Sequence, residues 1–126
     1  MAYVKDVMKR GVVTVKKYDS VTSVSRLLAK NKISNVPVLN KKSELVGLVS
    51  EQDIIRAMAS KNFMKMKAKD IMTKQVLSVK ENDSLEYVAK IFMEYPFRRI
   101  PVTRRKKVIG SITREGLINT FMSDYY

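Results

Sequence analysis

Ser50 and Asp53 stand three residues apart in GLVSEQD (47–53), where an apolar strand pattern gives way to a helix pattern. A hydroxyl and a carboxylate at that spacing in the first turn of a helix can do two kinds of work. They can form a capping box, each side chain satisfying an orphan backbone donor. They can also serve a ligand. Free N–H groups and the helix dipole favour an anion at that end, and a carboxylate beside them can accept both ribose hydroxyls, as acidic residues do in dinucleotide folds. Later the chain writes GSITREG (110–116), which keeps the hydroxyl as Thr113 but has Gly116 where the carboxylate would stand. Glycine offers ribose nothing, and in a helix it costs up to about 1 kcal/mol relative to alanine. Glu115, one residue earlier, points elsewhere on a helix and is no substitute.

Arginines break the same symmetry in the opposite sense. Arg98 and Arg99 precede an IPV strand, whereas Ser34 and Asn35 precede VPV. Paired arginines are either solvated charge or a phosphate grip, since the guanidinium fork matches phosphate oxygens two at a time. Arg98, Arg99, Arg104, Arg105, Lys106 and Lys107 also form a dense run beside Tyr95 and Phe97, while the matching turn has only Lys41 and Lys42. Such a run can hold a phosphate backbone without reading sequence, so non-specific nucleic-acid binding is one alternative function; the other is an interaction subunit of an enzyme or transporter.

Other chemistry is excluded by composition. The chain has no histidine and no cysteine. Imidazole acid–base catalysis, acyl-transfer triads, thiolate or histidine metal sites and disulfides are therefore ruled out. No paired-carboxylate motif stands out either, so no enzyme, cofactor or metal is expected. Of 126 residues, 45% are hydrophobic and 29% charged, a folded and soluble composition with room for one real core. No apolar run approaches the roughly 18 residues of a membrane span. The start, MAYVKDVMKR, has no signal-peptide pattern, and cysteine-free usage fits the cytoplasm. The net charge of +13 draws phosphate, on a nucleotide, a nucleic acid or a lipid headgroup.

The elements that must hold these residues come in two copies. VKDVMKRGVVTVKKYDSV (4–21) aligns with AKDIMTKQVLSVKENDSL (68–85), VSRLLAKNKISNVPV (24–38) with VAKIFMEYPFRRIPV (88–102), and VGLVSEQDII (46–55) with IGSITREGLI (109–118) after one lost residue. The repeats run 4–58 and 68–122, joined by the linker 59–67. Each reads as a strand (Val12 to Val15 in the first), then a helix capped by Asp19 or by Asp83 with Glu86 three residues on. An apolar stripe at Val21, Val24, Leu27 and Leu28, or Leu85, Val88, Ile91 and Phe92, marks that helix. A proline-containing strand follows, which points to an edge or an irregular strand, then a turn, a third strand and a second helix. The order is β-α-β-β-α, twice. One such unit leaves a sheet face bare, and two together can close one core.

This ordered set, twice at one spacing, resembles the tandem cystathionine-β-synthase (CBS) domain pair, or Bateman module. The resemblance implies an α+β fold of two repeats related by pseudo-twofold symmetry, with sheets packed together and helices outside. It implies a regulatory module that binds AMP, ADP, ATP or a related adenosyl ligand. In similar modules each cleft joins the helix motif of one repeat to the strands of the other. The main cleft would then hold Ser50, Asp53, Leu77, Arg98, Arg99 and Ile100. A second, degenerate cleft would hold Val13, Ser34, Asn35, Val36 and Thr113. Similar modules also pair as discs, so a homodimer is expected through Ile55, Met58, Leu117, Phe121, Met122, Tyr125 and Tyr126. A regulated protein partner would lie elsewhere.

Overall fold

The computed structural model describes residues 2–125, with backbone alone at residues 121 and 123–125. Its strands are β1 (Val15–Lys16), β2 (Asn35–Leu39), β3 (Leu45–Ser50), β4 (Val79–Lys80), β5 (Arg99–Arg104) and β6 (Lys107–Thr113). Its α-helices are α1 (Val21–Asn31), α2 (Glu51–Met58), α3 (Ala68–Ile71), α4 (Leu85–Glu94) and α5 (Arg114–Tyr125). Two three-stranded sheets result, ordered β1-β2-β3 and β4-β5-β6. In each, the first pair is parallel and the second antiparallel. The expected α+β class and the β-α-β-β-α order both hold.

The chain divides into two compact units. One joins the segment up to Val12 with the chain from Leu77 onward, and the other is Val13–Val76. The arm that opens each sequence repeat is therefore housed with the sheet of the other repeat. In the first unit, Lys9 exchanges both backbone hydrogen bonds with Ser111 (2.8 and 2.9 Å), and Met8 packs beside Gly110. In the second, Thr73 and Leu48 do the same (2.9 Å each way), with Met72 against Gly47. A side chain at either glycine would collide with the arm, which explains glycine in the middle of β3 and β6.

Each unit has its own apolar cluster. In one, Val4, Val79, Val88, Ile91, Phe92, Ile100, Val102 and Ile112 are buried together. In the other, Val15, Val24, Leu28, Val36, Val38, Val49, Ile54 and Ala68 are. In each unit the arm (Val4 or Ala68) and the helix stripe contribute to burying the sheet.

Three local expectations are corrected. The helix caps are Ser20 and Ser84, not Asp19 and Asp83: their hydroxyls accept from the N–H groups of Ser23 and Tyr87 at 3.1 Å. The aspartates instead close the turn after the strand, Asp19 accepting from Lys16 N–H (2.9 Å) and Asp83 from Lys80 N–H (2.8 Å), so Glu86 is not three residues from the cap. The first strand is Val15–Lys16 rather than Val12 to Val15, since only there does β2 offer a parallel partner. The prolines sit in central strands, not at edges, while the other alternative, an irregular strand, holds. Pro37 faces Leu48, and Leu48 spends its N–H and C=O on Thr73. Pro37 is therefore in a non-hydrogen-bonded pair, with its missing N–H aimed at β1, which begins only opposite Val38. Pro101 repeats this opposite Ser111, and the ladder shifts register just after Val38 and Val102.

Of the apolar residues expected at a dimer face, Ile55 (57% exposed), Met58 (62%) and Met122 (48%) are open, joined by Ile118 (60%). Leu117 instead packs against the core of its unit. The side chains of Phe121 and Tyr125, and residue Tyr126, lie outside what is described.

Candidate functional site

In the second unit Ser50 ends β3 opposite Asn35, the first residue of β2. Glu51 N–H donates to the Ser34 carbonyl (2.9 Å), tying the start of α2 to the turn before β2. Ser50 is the N-cap, in extended conformation (φ −105°, ψ 167°). Its Oγ accepts from Asp53 N–H at 3.2 Å, and Asp53 Oδ2 accepts from Ser50 N–H (2.9 Å) and from the Ser50 hydroxyl (3.0 Å). The capping box is therefore present, and Asp53 is 8% exposed. Among the described residues it leaves Oδ1 with one partner, Arg56 Nη1 at 3.3 Å, and that arginine's side chain is 76% exposed. The carboxylate is buried but the Arg56 end of the pair is exposed and the contact is long, so Arg56 can give way to a ligand hydroxyl at Oδ1. Arg56 was missed in the sequence. Its (i, i+3) spacing from Asp53 was the available signal.

The first unit builds the same corner differently. Thr113 ends β6 opposite Arg99, and Arg114 N–H donates to the Arg98 carbonyl (3.1 Å). Thr113 Oγ1 accepts from Gly116 N–H (2.9 Å), so half of the capping box survives without the carboxylate. Arg98 is exposed and Arg99 half-buried. Neither has a carboxylate partner among the described residues, which leaves both guanidiniums available to an anion.

Ser50 and Asp53 thus lie in one unit, and Leu77, Arg98, Arg99 and Ile100 in the other; Val13, Ser34, Asn35 and Val36 lie in the first group's unit, and Thr113 in the second's. Leu77 and Val13 are half-buried against their own cores. Val36 (0% exposed) and Ile100 (1%) are core residues, so only their backbone can meet a ligand.

The basic run is less uniform than its sequence. Arg104 is held by Glu81 through two hydrogen bonds of 2.8 Å. Tyr95 stacks on Phe97 (centroids 5.5 Å apart, planes 11°), and Phe97 packs against the core. Arg105, Lys106 and Lys107 remain exposed around the β5–β6 turn.

The family model for the CBS domain matches residues 4–60 and 68–123. The chain belongs to the CBS domain family. Among curated relatives it is 30% identical to Uncharacterized protein MJ1426 of Methanocaldococcus jannaschii, covering 94% of this chain and 90% of that one. Other relatives are longer: the chain spans 23% of an L-aspartate semialdehyde sulfurtransferase of the same organism, at 27% identity and 94% of its own length. Among solved structures it is similar to CBSX2 in complex with AMP (TM-score 0.89, 27% identity, 100% of both chains). It is also similar to the CBS domain pair of protein MJ0100 with 5′-methylthioadenosine and S-adenosyl-L-methionine (TM-score 0.82, 26% identity, 98% of both chains).

Proposed function

We propose that this CBS pair is a regulatory module with one good site per chain for an adenine nucleotide, AMP being the simplest fit, and with no turnover of its own. Asp53 accepts the ribose hydroxyls through Oδ1, and Arg98 and Arg99 hold the phosphate of the same ligand. The adenine lies on aliphatic strand residues near Leu77, since the chain has no tryptophan to stack on it.

The observation that carries the reading is the unequal division of chemistry. The carboxylate with an open oxygen and the arginines without carboxylate partners each occur once, whereas the matching positions hold Gly116 and Ser34-Asn35. Ligands of CBSX2 and of the MJ0100 pair support the ligand class, as both contain adenosine. Regulation fits a chain without histidine or cysteine nucleophiles. Homodimerisation through α2 and α5 is part of the proposal, because Ile55, Met58, Ile118 and Met122 would otherwise stay in water.

Calorimetric titration with AMP, adenosine and S-adenosyl-L-methionine tests it. One site per chain is expected, with AMP binding more tightly than adenosine. Two equal sites, or AMP affinity indifferent to Asp53→Ala, would overturn the assignment.

A further inference from the structure

α1 and α4 end in different ways, and the difference bears on the arginines that follow α4. α1 closes on itself. Lys32 adopts a left-handed conformation (φ 53°, ψ 44°), its N–H donates to the Ala29 carbonyl, and Ile33 N–H reaches the Leu28 carbonyl. This is the usual local cap for a helix C-terminus. At the position matching Lys32, α4 has Pro96. Proline has no N–H, its ring fixes φ near −65°, and it pushes the preceding residue out of the helical region. Tyr95 is indeed extended (φ −124°, ψ 145°), and α4 has no basic residue in its last turn. The local cap is impossible there, and the helix's last carbonyls need donors from elsewhere.

Arg114 supplies one for the helix and others for the turn that follows it. Its Nη2 donates to the carbonyls of Phe92 (3.1 Å) and Tyr95 (3.0 Å), its Nε donates to that of Phe97, and the guanidinium lies 5.6 Å from the centre of the Phe92 ring. Its own N–H takes the Arg98 carbonyl at 3.1 Å. One residue thus holds four carbonyls of the segment from Phe92 to Arg98. Glu51 occupies the matching position in the other repeat: its N–H makes the equivalent bond to the Ser34 carbonyl, but its carboxylate could donate to none of the other three. Pro96 and Arg114 together replace the pair Lys32 and Glu51.

We propose that Arg114 is a positioning residue for phosphate recognition: it locks the turn that Pro96 leaves uncapped, and so sets the placement of Arg98 and Arg99. The proposal rests on the reading of those two arginines as the phosphate donors. Arg114 itself spends its fork on carbonyls and does not touch the ligand.

The test compares AMP with adenosine by calorimetry on the full chain and three variants, alongside amide hydrogen exchange across residues 97–99. Arg114→Ala is expected to speed exchange there and to weaken AMP binding roughly tenfold or more, as the loss of one charged hydrogen bond does, with adenosine unchanged within about twofold. Arg114→Lys, which keeps the charge but loses the fork, is expected to fall between. If Arg114→Ala is poorly folded, Arg114→Lys carries the comparison. Adding Pro96→Gly to Arg114→Ala permits the left-handed cap and is expected to restore slow exchange and AMP affinity together. An unchanged AMP-to-adenosine ratio in Arg114→Ala would overturn the proposal. So would a double variant whose turn is restored but whose AMP affinity is not, since Arg114 would then be touching the ligand itself. If the unmutated chain binds AMP no better than adenosine, the phosphate role of Arg98 and Arg99 fails and this proposal with it. The exchange data then still report Arg114's hold on the turn.

Discussion

Asp53 turns one carboxylate oxygen back onto Ser50, accepting from its N–H at 2.9 Å and its hydroxyl at 3.0 Å. Among the described residues, the other oxygen meets only an exposed guanidinium. On the proposed function, capping falls to one oxygen of this side chain and ligand binding to the other.

That division predicts two separable losses in Asp53→Ala. Removing the box should lower stability by about 1 kcal/mol, read from urea unfolding of the ligand-free chain. AMP affinity should also fall roughly 10- to 150-fold, the value of about 1.5–3 kcal/mol for a charged hydrogen bond. Asp53→Asn retains one acceptor oxygen for the Ser50 N–H and puts a donor NH2 in place of the other, so it should keep more of the stability than of the affinity. Equal loss of both would mean the carboxylate serves the helix alone.

Arg99→Ala should weaken AMP by a similar factor and leave adenosine nearly untouched, because only the phosphate is addressed. Asp53→Ala should weaken both ligands, because both carry ribose. A double-mutant cycle on AMP, measured by calorimetry, then tests whether the two residues serve one ligand. If each single variant abolished a different one of two sites, the pairing would be wrong.

Gly116→Asp should rebuild the missing half of the box. A Cβ there would lie 3.1 Å from Thr113 Oγ1 and 3.8 Å from Val7 Cγ1, so the hydroxyl must give a few tenths of an ångström. Ser50 and Asp53 already accommodate the same arrangement. We expect a gain of up to about 1 kcal/mol from replacing a first-turn glycine, seen as a higher urea midpoint. We also expect a weak second site that prefers adenosine to AMP, since Ser34 and Asn35 bring no positive charge to the phosphate.

The two strand glycines should respond unequally to alanine. At Gly110 a Cβ would come within 2.7 Å of the Lys9 carbonyl oxygen, which is backbone. At Gly47 the obstacle is the Met72 side chain, whose thioether end can rotate away. Gly110→Ala should cost about 1–3 kcal/mol as an overpacking substitution, and Gly47→Ala less. Thermal or urea unfolding of the two variants ranks them, and the reverse order would mean that the arm at Lys9 moves more easily than Met72.

The sequence by itself determined the two copies, the order of elements and the helix stripes. All of these follow from local periodicity and from residue types that have few roles to choose among. Ser50 and Asp53 could be read as a capping box because a box is closed by neighbours three residues apart. The tertiary structure decided whatever depends on partners distant in the chain. It assigned the arm with Met8 to the sheet of Gly110 and the arm with Met72 to that of Gly47, a choice that equivalent arms leave open in sequence. It placed Pro37 and Pro101 in central strands, because β1 and β4 are too short to require their N–H groups. It passed the helix caps from Asp19 and Asp83 to the serines beside them, because each aspartate was already engaged by a strand-end N–H. And it gave Arg114 its role, since the carbonyls that Pro96 leaves open are met by a side chain 18 positions further along the chain, beyond the reach of any local rule.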